Sequence, residues 1–292
     1  MIYTVSRKPG VRMAASRLKN LMGNGLRVGL GGEGVLRTEG QVTEALAVLG
    51  AAYDSGIRYY DSAPAYAGSE QYQGTFWTQH PERRAGTFQA GKSAQRDAGR
   101  AAADLARTLS RTGRDHLGLW QVHDLRDCND LRQLEGSGGA LKQFYEARET
   151  GTVQGIGVTG HHDPAILLHA VTHWDVDAVL LPVNPVEAAI GGFTDRVISA
   201  ARERGIGVIA MKVLGAGRFL FPDAGLTAER LIRFALSRDV DLVIVGCLTP
   251  GEVELLARLG REHVPMDDEE QARMIETVRP YAERLAYYRG VT

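Results

Sequence analysis

A chain of 292 residues, 44% hydrophobic and 24% charged, has the make-up of a globular protein that can bury a sizeable core without staples. Its 34 basic and 35 acidic residues leave a formal net charge of -1, so no global field draws it to nucleic acid or to an anionic membrane, and a small, weakly charged partner is expected instead. Cys128 and Cys247 are the only cysteines, which excludes a disulfide framework and suits a reducing cytoplasm.

The N-terminal stretch MIYTVSRKPGVRMAASRLKNLMGNG has basic residues but no apolar run of signal-peptide length, and no later segment is long enough to span a bilayer. The first apolar run is LRVGLGG from Leu26. A helical pattern follows in TEALAVLGAAYDSG, where Ala45, Leu46, Leu49 and Tyr53 share a face and Gly56 can end the helix. The alternation then continues: IRYYDSA from Ile57, TFQAGK from Thr87, the helical GRAAADLARTLSRTG, LGLWQVH from Leu117 and the helical GGALKQFYEARETG. After these come VQGIGVTG from Val153, the helical DPAILLHAVTHW, AVLLPVN from Ala178, GVIAMKV from Gly207 and LVIVGC from Leu242.

Each run is apolar throughout, as in strands buried on both faces, and the runs recur at about 30 residues, the size of a strand, a helix and two loops. Eight such units predict an α/β fold, a (β/α)8 TIM barrel forming one domain over residues 1–292. The segment before Leu26 and a charged helix from Asp267 to Tyr288 are extras. An open doubly wound sheet is the alternative, but GLGGEG at Gly29 to Gly34 does not match the G-x-G-x-x-G turn that such a sheet needs. The longest interruptions, Leu125 to Gly139 and Leu214 to Leu226, follow strands four and seven, at the end where barrel loops carry function.

In GIRYYDSAPAYAGSE, Asp61 ends the second strand and Tyr66 lies in the loop beyond it; Lys92 and His123 end the third and fourth strands. On a barrel these four converge at one mouth. With the segments GIRYYDSAPAY, AGK, LWQVHD, GIGVTG, LLPVNPVE, GIGVIAMKVLGAG and VDLVIVGC in this order, the chain resembles the aldo-keto reductase superfamily over nearly its whole length. The resemblance implies a catalytic tetrad of Asp61, Tyr66, Lys92 and His123 and an oxidoreductase that moves a hydride between NAD(P) and a carbonyl or alcohol, such as an aldehyde, ketone or sugar.

The chemistry fits these residue types. Hydride addition builds negative charge on oxygen, so a proton donor must stand beside it. Lys92 is expected to lower the pKa of Tyr66, Asp61 to hold Lys92 as a buried ion pair, and His123 to hydrogen-bond the substrate oxygen.

The cofactor positions depart from the family pattern. Where many members have Ser-Asn after strand five, an amide in strand six and an aromatic in strand seven, this chain has Thr159-Gly160, Leu180 or Leu181, and Met211. His161 or His162 is the candidate to replace the amide. Gly32, Lys212 and the turn with Leu214, Gly215 and Gly217 are further cofactor candidates, the last four for the pyrophosphate. After strand eight, the candidates Gly246, Cys247, Thr249 and Glu252 include no cation for a 2′-phosphate. That leans the reading toward NAD over NADP, unless Arg258 or Arg261 supplies the charge. Arg126 and Arg132 read as solvated loop charges. Two alternatives stand beside the reductase: a cofactor-binding regulatory protein, and a metal-dependent barrel hydrolase using His123, His161, His162 and Asp61. Lys92 opposes the second, and no metal is expected.

Overall fold

All eight apolar runs are strands in the computed structural model, which describes residues 15–290. β1 (Val28–Gly34), β2 (Tyr59–Asp61), β3 (Phe88–Ser93), β4 (Leu117–Val122), β5 (Val153–Thr159), β6 (Ala178–Pro182), β7 (Gly207–Met211) and β8 (Leu242–Cys247) lie in chain order around a closed barrel. Every neighbouring pair is parallel, including β8 with β1. Parallel pairing needs a crossover between strands, and the helices supply it.

The helices obey the 3.6-residue period. In Val42–Asp54, Ala45, Val48, Leu49 and Ala52 are buried, while Leu46 and Tyr53 pack at the edge of the same core. Helix Ala98–Thr112 starts where the Asp97 side chain accepts from Arg100 N and stops at left-handed Gly113, so both ends are capped by side chain or backbone.

Two apolar cores result. One lies between strands and helices; the other fills the barrel with Tyr59, Phe88, Leu119, Leu180, Ile209 and Ile244. Side chains alternate along a strand, so residues two apart share a face. Asp61 therefore follows Tyr59 inward, Lys92 follows Ala90, and His123 follows Leu119. The inward parity of three strands stacks the polar residues one layer above the interior core.

The segment before Leu26 is more than an extension. Helix Arg17–Met22 packs Leu18, Leu21 and Met22 against the interior core, and Arg17 N donates to Gly205 O at 2.9 Å, closing the end where the strands begin. Residues 1–14 of the expected leaderless N-terminus lie outside the described residues. At the other end the expected single helix from Asp267 to Tyr288 is not continuous. It runs over Asp268–Val278, then breaks into short turns around Pro280, which lacks the N–H an α-helix would use. The break lets Tyr287 to Arg289 cross the loops that follow the strands. The loop after β4 contains helix Cys128–Glu135, and the loop after β7 two 3-10 turns. Among the described residues no helix is long and apolar enough to cross a membrane.

Candidate active site

Lys92 Nζ sits 2.5 Å from Asp61 Oδ2 and 3.0 Å from Ser62 O, with both side chains buried. The same nitrogen lies 4.8 Å from the centroid of the Tyr66 ring, and that ring meets His123 edge to face at 5.6 Å and 87°. The four predicted residues are thus brought together. Among the described residues, neither the Tyr66 hydroxyl nor the His123 ring has a hydrogen-bond partner, and both side chains are only partly exposed. A donor pair without partners beside an ion pair is suited to an incoming oxygen.

The loop that carries Tyr66 is held by its backbone. Tyr66 N donates to Ala63 O at 3.0 Å, Ser69 N to Tyr66 O at 2.8 Å, and Gly68 N to Thr38 O at 3.0 Å; Ser69 then opens helix Ser69–Gln79. Gly32 packs against this loop. A Cβ there would lie 2.8 Å from both Tyr66 Cδ2 and Asp61 O, so the glycine lets the tyrosine approach the strand end. Gly32, expected as a cofactor contact, thus also packs beside these four residues.

Electrostatics sharpen the roles. Burial first, then the Lys92 ammonium, pushes His123 down to about 3, which keeps it neutral with one N–H to donate. Burial raises the Asp61 carboxyl and lowers the Lys92 ammonium, while each draws the other toward its charged form. Tyr66 does not follow the expectation. Burial first, then the Asp61 and Glu33 carboxylates, holds its phenol well above the usual tyrosine value. Burial outweighs the Lys92 ammonium, which lies over the ring and is already paired with Asp61.

The sequence profile of the Aldo/keto reductase family matches residues 27–224, more than half of the chain. The chain belongs to the aldo/keto reductase family. A curated relative, D-threo-aldose 1-dehydrogenase from a Pseudomonas species, is 28% identical over 204 residues, a match that spans 60% of this chain and 60% of the relative. Among solved structures, a Bombyx mori aldo-keto reductase in complex with NADP superposes with a TM-score of 0.70 at 18% identity, covering 92% of this chain and 94% of that one. A Klebsiella pneumoniae aldo-keto reductase in complex with NADPH gives 0.66 at 18% identity, covering 88% and 91%.

In this aldo/keto reductase the expected cofactor positions after strands five to seven have the following surroundings. Thr159 and Gly160 are buried, and a Cβ on Gly160 would lie 2.8 Å from Leu125 O, so no larger residue fits without moving that loop. Leu180 faces the barrel interior and Leu181 the outer core. Met211 is partly exposed at the edge of the interior core. His161 turns neither nitrogen toward the expected cofactor position: Nδ1 lies 2.6 Å from Tyr288 O and Nε2 3.1 Å from Asp124 Oδ1. His162 is engaged likewise by Arg289 O and Asp124.

The turn after β7 is the expected pyrophosphate site. Gly215, Ala216 and Gly217 have φ of 56°, 52° and 85° between right-handed Leu214 and Arg218, and Lys212 just before them has φ of 53°; the N–H groups of Gly215, Gly217 and Arg218 are donated within the turn, to Lys212 O, Leu214 O and Gly215 O. No carboxylate pairs with Lys212 among the described residues, and burial lowers its pKa.

Beyond β8, outside the profile match, Thr249 and Glu252 have another role. Thr249 Oγ1 accepts from Glu252 N at 3.3 Å, and Glu252 Oε2 accepts from Leu248 N at 2.6 Å. T-P-G-E is thus a capping motif opening helix Pro250–Glu262, a signal present in the sequence. Gly246 is partly exposed, whereas Cys247 is buried. Arg258 is paired with Glu229 and Glu262, each at 3.1 Å, and Arg261 with Ser55 O at 3.0 Å.

Sequence reasoning missed the C-terminal residues at the mouth. Arg289 pairs with fully buried Glu187, Tyr288 Oη donates to Glu187 Oε1 at 2.8 Å, and Asn184 Nδ2 donates to Tyr288 Oη at 3.2 Å. Tyr287 Oη donates to Gly215 O at 3.1 Å. Only the N-P-x-E spacing of Asn184 and Glu187 hinted at a structured loop there.

Proposed function

We propose that the protein is an NAD(P)-dependent oxidoreductase that interconverts a small carbonyl compound and its alcohol, with Tyr66 as general acid and base. The observation that carries this reading is the edge-to-face pair of Tyr66 and His123, both with free polar groups, above the buried Lys92–Asp61 pair. The nicotinamide, when bound, supplies or takes up the hydride. In reduction, Tyr66 Oη gives its proton to the substrate oxygen as negative charge develops there. Neutral His123 donates its N–H to the same oxygen and orients it. In oxidation, the alcohol proton returns to Tyr66. Lys92 keeps a positive charge against the ring as the phenol loses its proton, and Asp61 keeps Lys92 in place. Lys212 and the Leu214 to Gly217 turn would hold the pyrophosphate.

Two observations bear on NAD against NADP, and they oppose each other. The two neighbours with cofactor hold NADP and NADPH, which gives the lean toward NAD no support and, if anything, favours NADP. In this chain Glu252 occupies the helix N-terminus, and Arg258 and Arg261 have other partners. The cofactor is accordingly written NAD(P).

The substrate is a small aldehyde, ketone or sugar. Because the Pseudomonas relative is a D-threo-aldose 1-dehydrogenase, aldoses with NAD or NADP head the screen, followed by aldehydes and ketones with NADH or NADPH. Turnover with any member, lost in Tyr66→Phe, supports the reading; a full screen without turnover overturns it.

A further inference from the structure

The loops after β4 and β5 bring three side chains together beside the tetrad but apart from it. His161 Nε2 and His162 Nε2 each lie 3.1 Å from Asp124 Oδ1, and the three atoms fall within 4.8 Å of one another. The other ring nitrogens are committed, with His161 Nδ1 at 2.6 Å from Tyr288 O and His162 Nδ1 at 3.2 Å from Arg289 O. A carbonyl oxygen only accepts, so each Nδ1 carries the hydrogen. Each neutral ring then turns the bare lone pair of Nε2 toward a carboxylate oxygen, which also only accepts. Three acceptors at this range repel unless something positive lies among them. One extra proton satisfies only one of the two Nε2–carboxylate contacts, and two would create two imidazolium rings with centroids 4.3 Å apart, where like charges oppose each other. One divalent cation satisfies all three acceptors at once.

We propose that Asp124, His161 and His162 form a binding site for a borderline divalent cation of the Zn2+ class. Two imidazoles and a carboxylate are a common ligand set for this ion, and tetrahedral bonds of about 2.0 to 2.1 Å place ligand atoms roughly 3.3 Å apart. The two nitrogen–oxygen separations of 3.1 Å need little adjustment, and the two nitrogens lie within 4.8 Å of each other. Each imidazole already donates its second nitrogen to a backbone carbonyl, as metal-binding histidines do to fix ring and tautomer. Arg126 binds Asp124 through Oδ2, at 2.6 and 2.8 Å, and leaves Oδ1 to the cluster. Its guanidinium is largely exposed, so solvent screens its repulsion of the cation. The three side chains keep 19 to 23% exposure, which leaves a path for the ion and a fourth position for water.

The site differs from the hydrolase set weighed from the sequence, because His123 and Asp61 belong to the tetrad and Asp124 replaces them. Its effect is mechanical. A bound ion pins the loops after β4 and β5 to the carbonyls of Tyr288 and Arg289, and so fastens the C-terminal segment over the mouth.

Chelator-treated wild-type protein titrated with Co2+, followed by visible absorption, and with Zn2+, followed by calorimetry, tests the site without any turnover. One equivalent of each should bind, with visible bands of a low-coordinate Co2+ site. His162→Ala and Asp124→Asn should each weaken binding at least tenfold. The exposed pair His169 and His173, stacked at 4.2 Å, is the competing surface site, so His173→Ala should leave the single equivalent intact. Zn2+ should raise the Tm of the wild type and leave that of His162→Ala unmoved. Absence of a stoichiometric equivalent on the wild type overturns the proposal, whatever the variants do. So does loss of that equivalent in His173→Ala with its retention in His162→Ala.

Discussion

Arg289, near the C-terminal end of the described residues, closes an ion pair with Glu187, whose side chain is fully buried beneath it. Tyr288 and the carbonyl of Gly191 complete the arrangement, with Arg289 Nη2 donating to Gly191 O at 2.8 Å. Removing one member of a buried pair strands the other charge, a loss of about 3 to 5 kcal/mol. Arg289→Met should therefore lower the denaturation midpoint substantially, and Glu187→Gln added to it should recover part of the loss. Equal stability of Arg289→Met and wild type in a urea titration would show that the pair holds nothing in place.

Tyr66→Phe keeps the ring that packs on Gly32 and His123 and removes only the hydroxyl. Turnover should drop by roughly a hundredfold or more, the usual scale for a lost general acid, while the melting temperature stays close to that of the wild type. Normal turnover in this variant would remove Tyr66 from the chemistry.

Gly32→Ala makes the opposite test. The added Cβ would stand 2.8 Å from the Tyr66 ring and from Asp61 O, closer than such contacts allow, so the tyrosine must shift. A displacement of the order of 1 Å at a reacting group can cost about a hundredfold in rate. The expected result is kcat falling far more than stability; a change in stability alone would mean that the strand yields and the tetrad does not.

Glu252 joins a helix cap to cofactor choice. Glu252→Ala should cost about 1 kcal/mol of stability through the cap and improve NADPH binding relative to NADH, because a carboxylate leaves the helix N-terminus where a phosphate could approach. Fluorescence titrations of both nucleotides at low and high salt would show the wild-type discrimination shrinking as charge is screened. An unchanged NADPH to NADH ratio in the variant would place the 2′-phosphate elsewhere.

The two cysteines should behave differently. Cys128 is exposed and Cys247 is buried, with burial first and Glu252 second pushing the Cys247 thiol up to about 12. At pH 8 a thiol reagent should label one cysteine in the native protein and two after denaturation. The folded pKa is raised, so folding favours the neutral thiol. This contribution is full below about pH 9 and fades as pH rises toward 12, because the unfolded chain ionises first. Two fast thiols in the native state would contradict the burial of β8.

The barrel was legible from the sequence because each strand is buried on both faces, which leaves uninterrupted apolar runs, and each helix leaves a 3.6-residue pattern. Period two along β2, β3 and β4 then aimed Asp61, Lys92 and His123 at one mouth, so their convergence followed from local rules and the order of the strands. Other features had no local signature. The side of Tyr66 that Lys92 faces, and the burial that raises its phenol, depend on how a loop folds back over a strand end. The pairing of His161 and His162 with Asp124 depends on adjacent strands, and their tautomers on carbonyls more than 120 residues away. The role of Arg289 depends on a helix that breaks at Pro280 and returns to the mouth. Charge and hydrogen-bond partners are set by distances in space, and segments far apart in the chain acquire those distances only when the barrel closes.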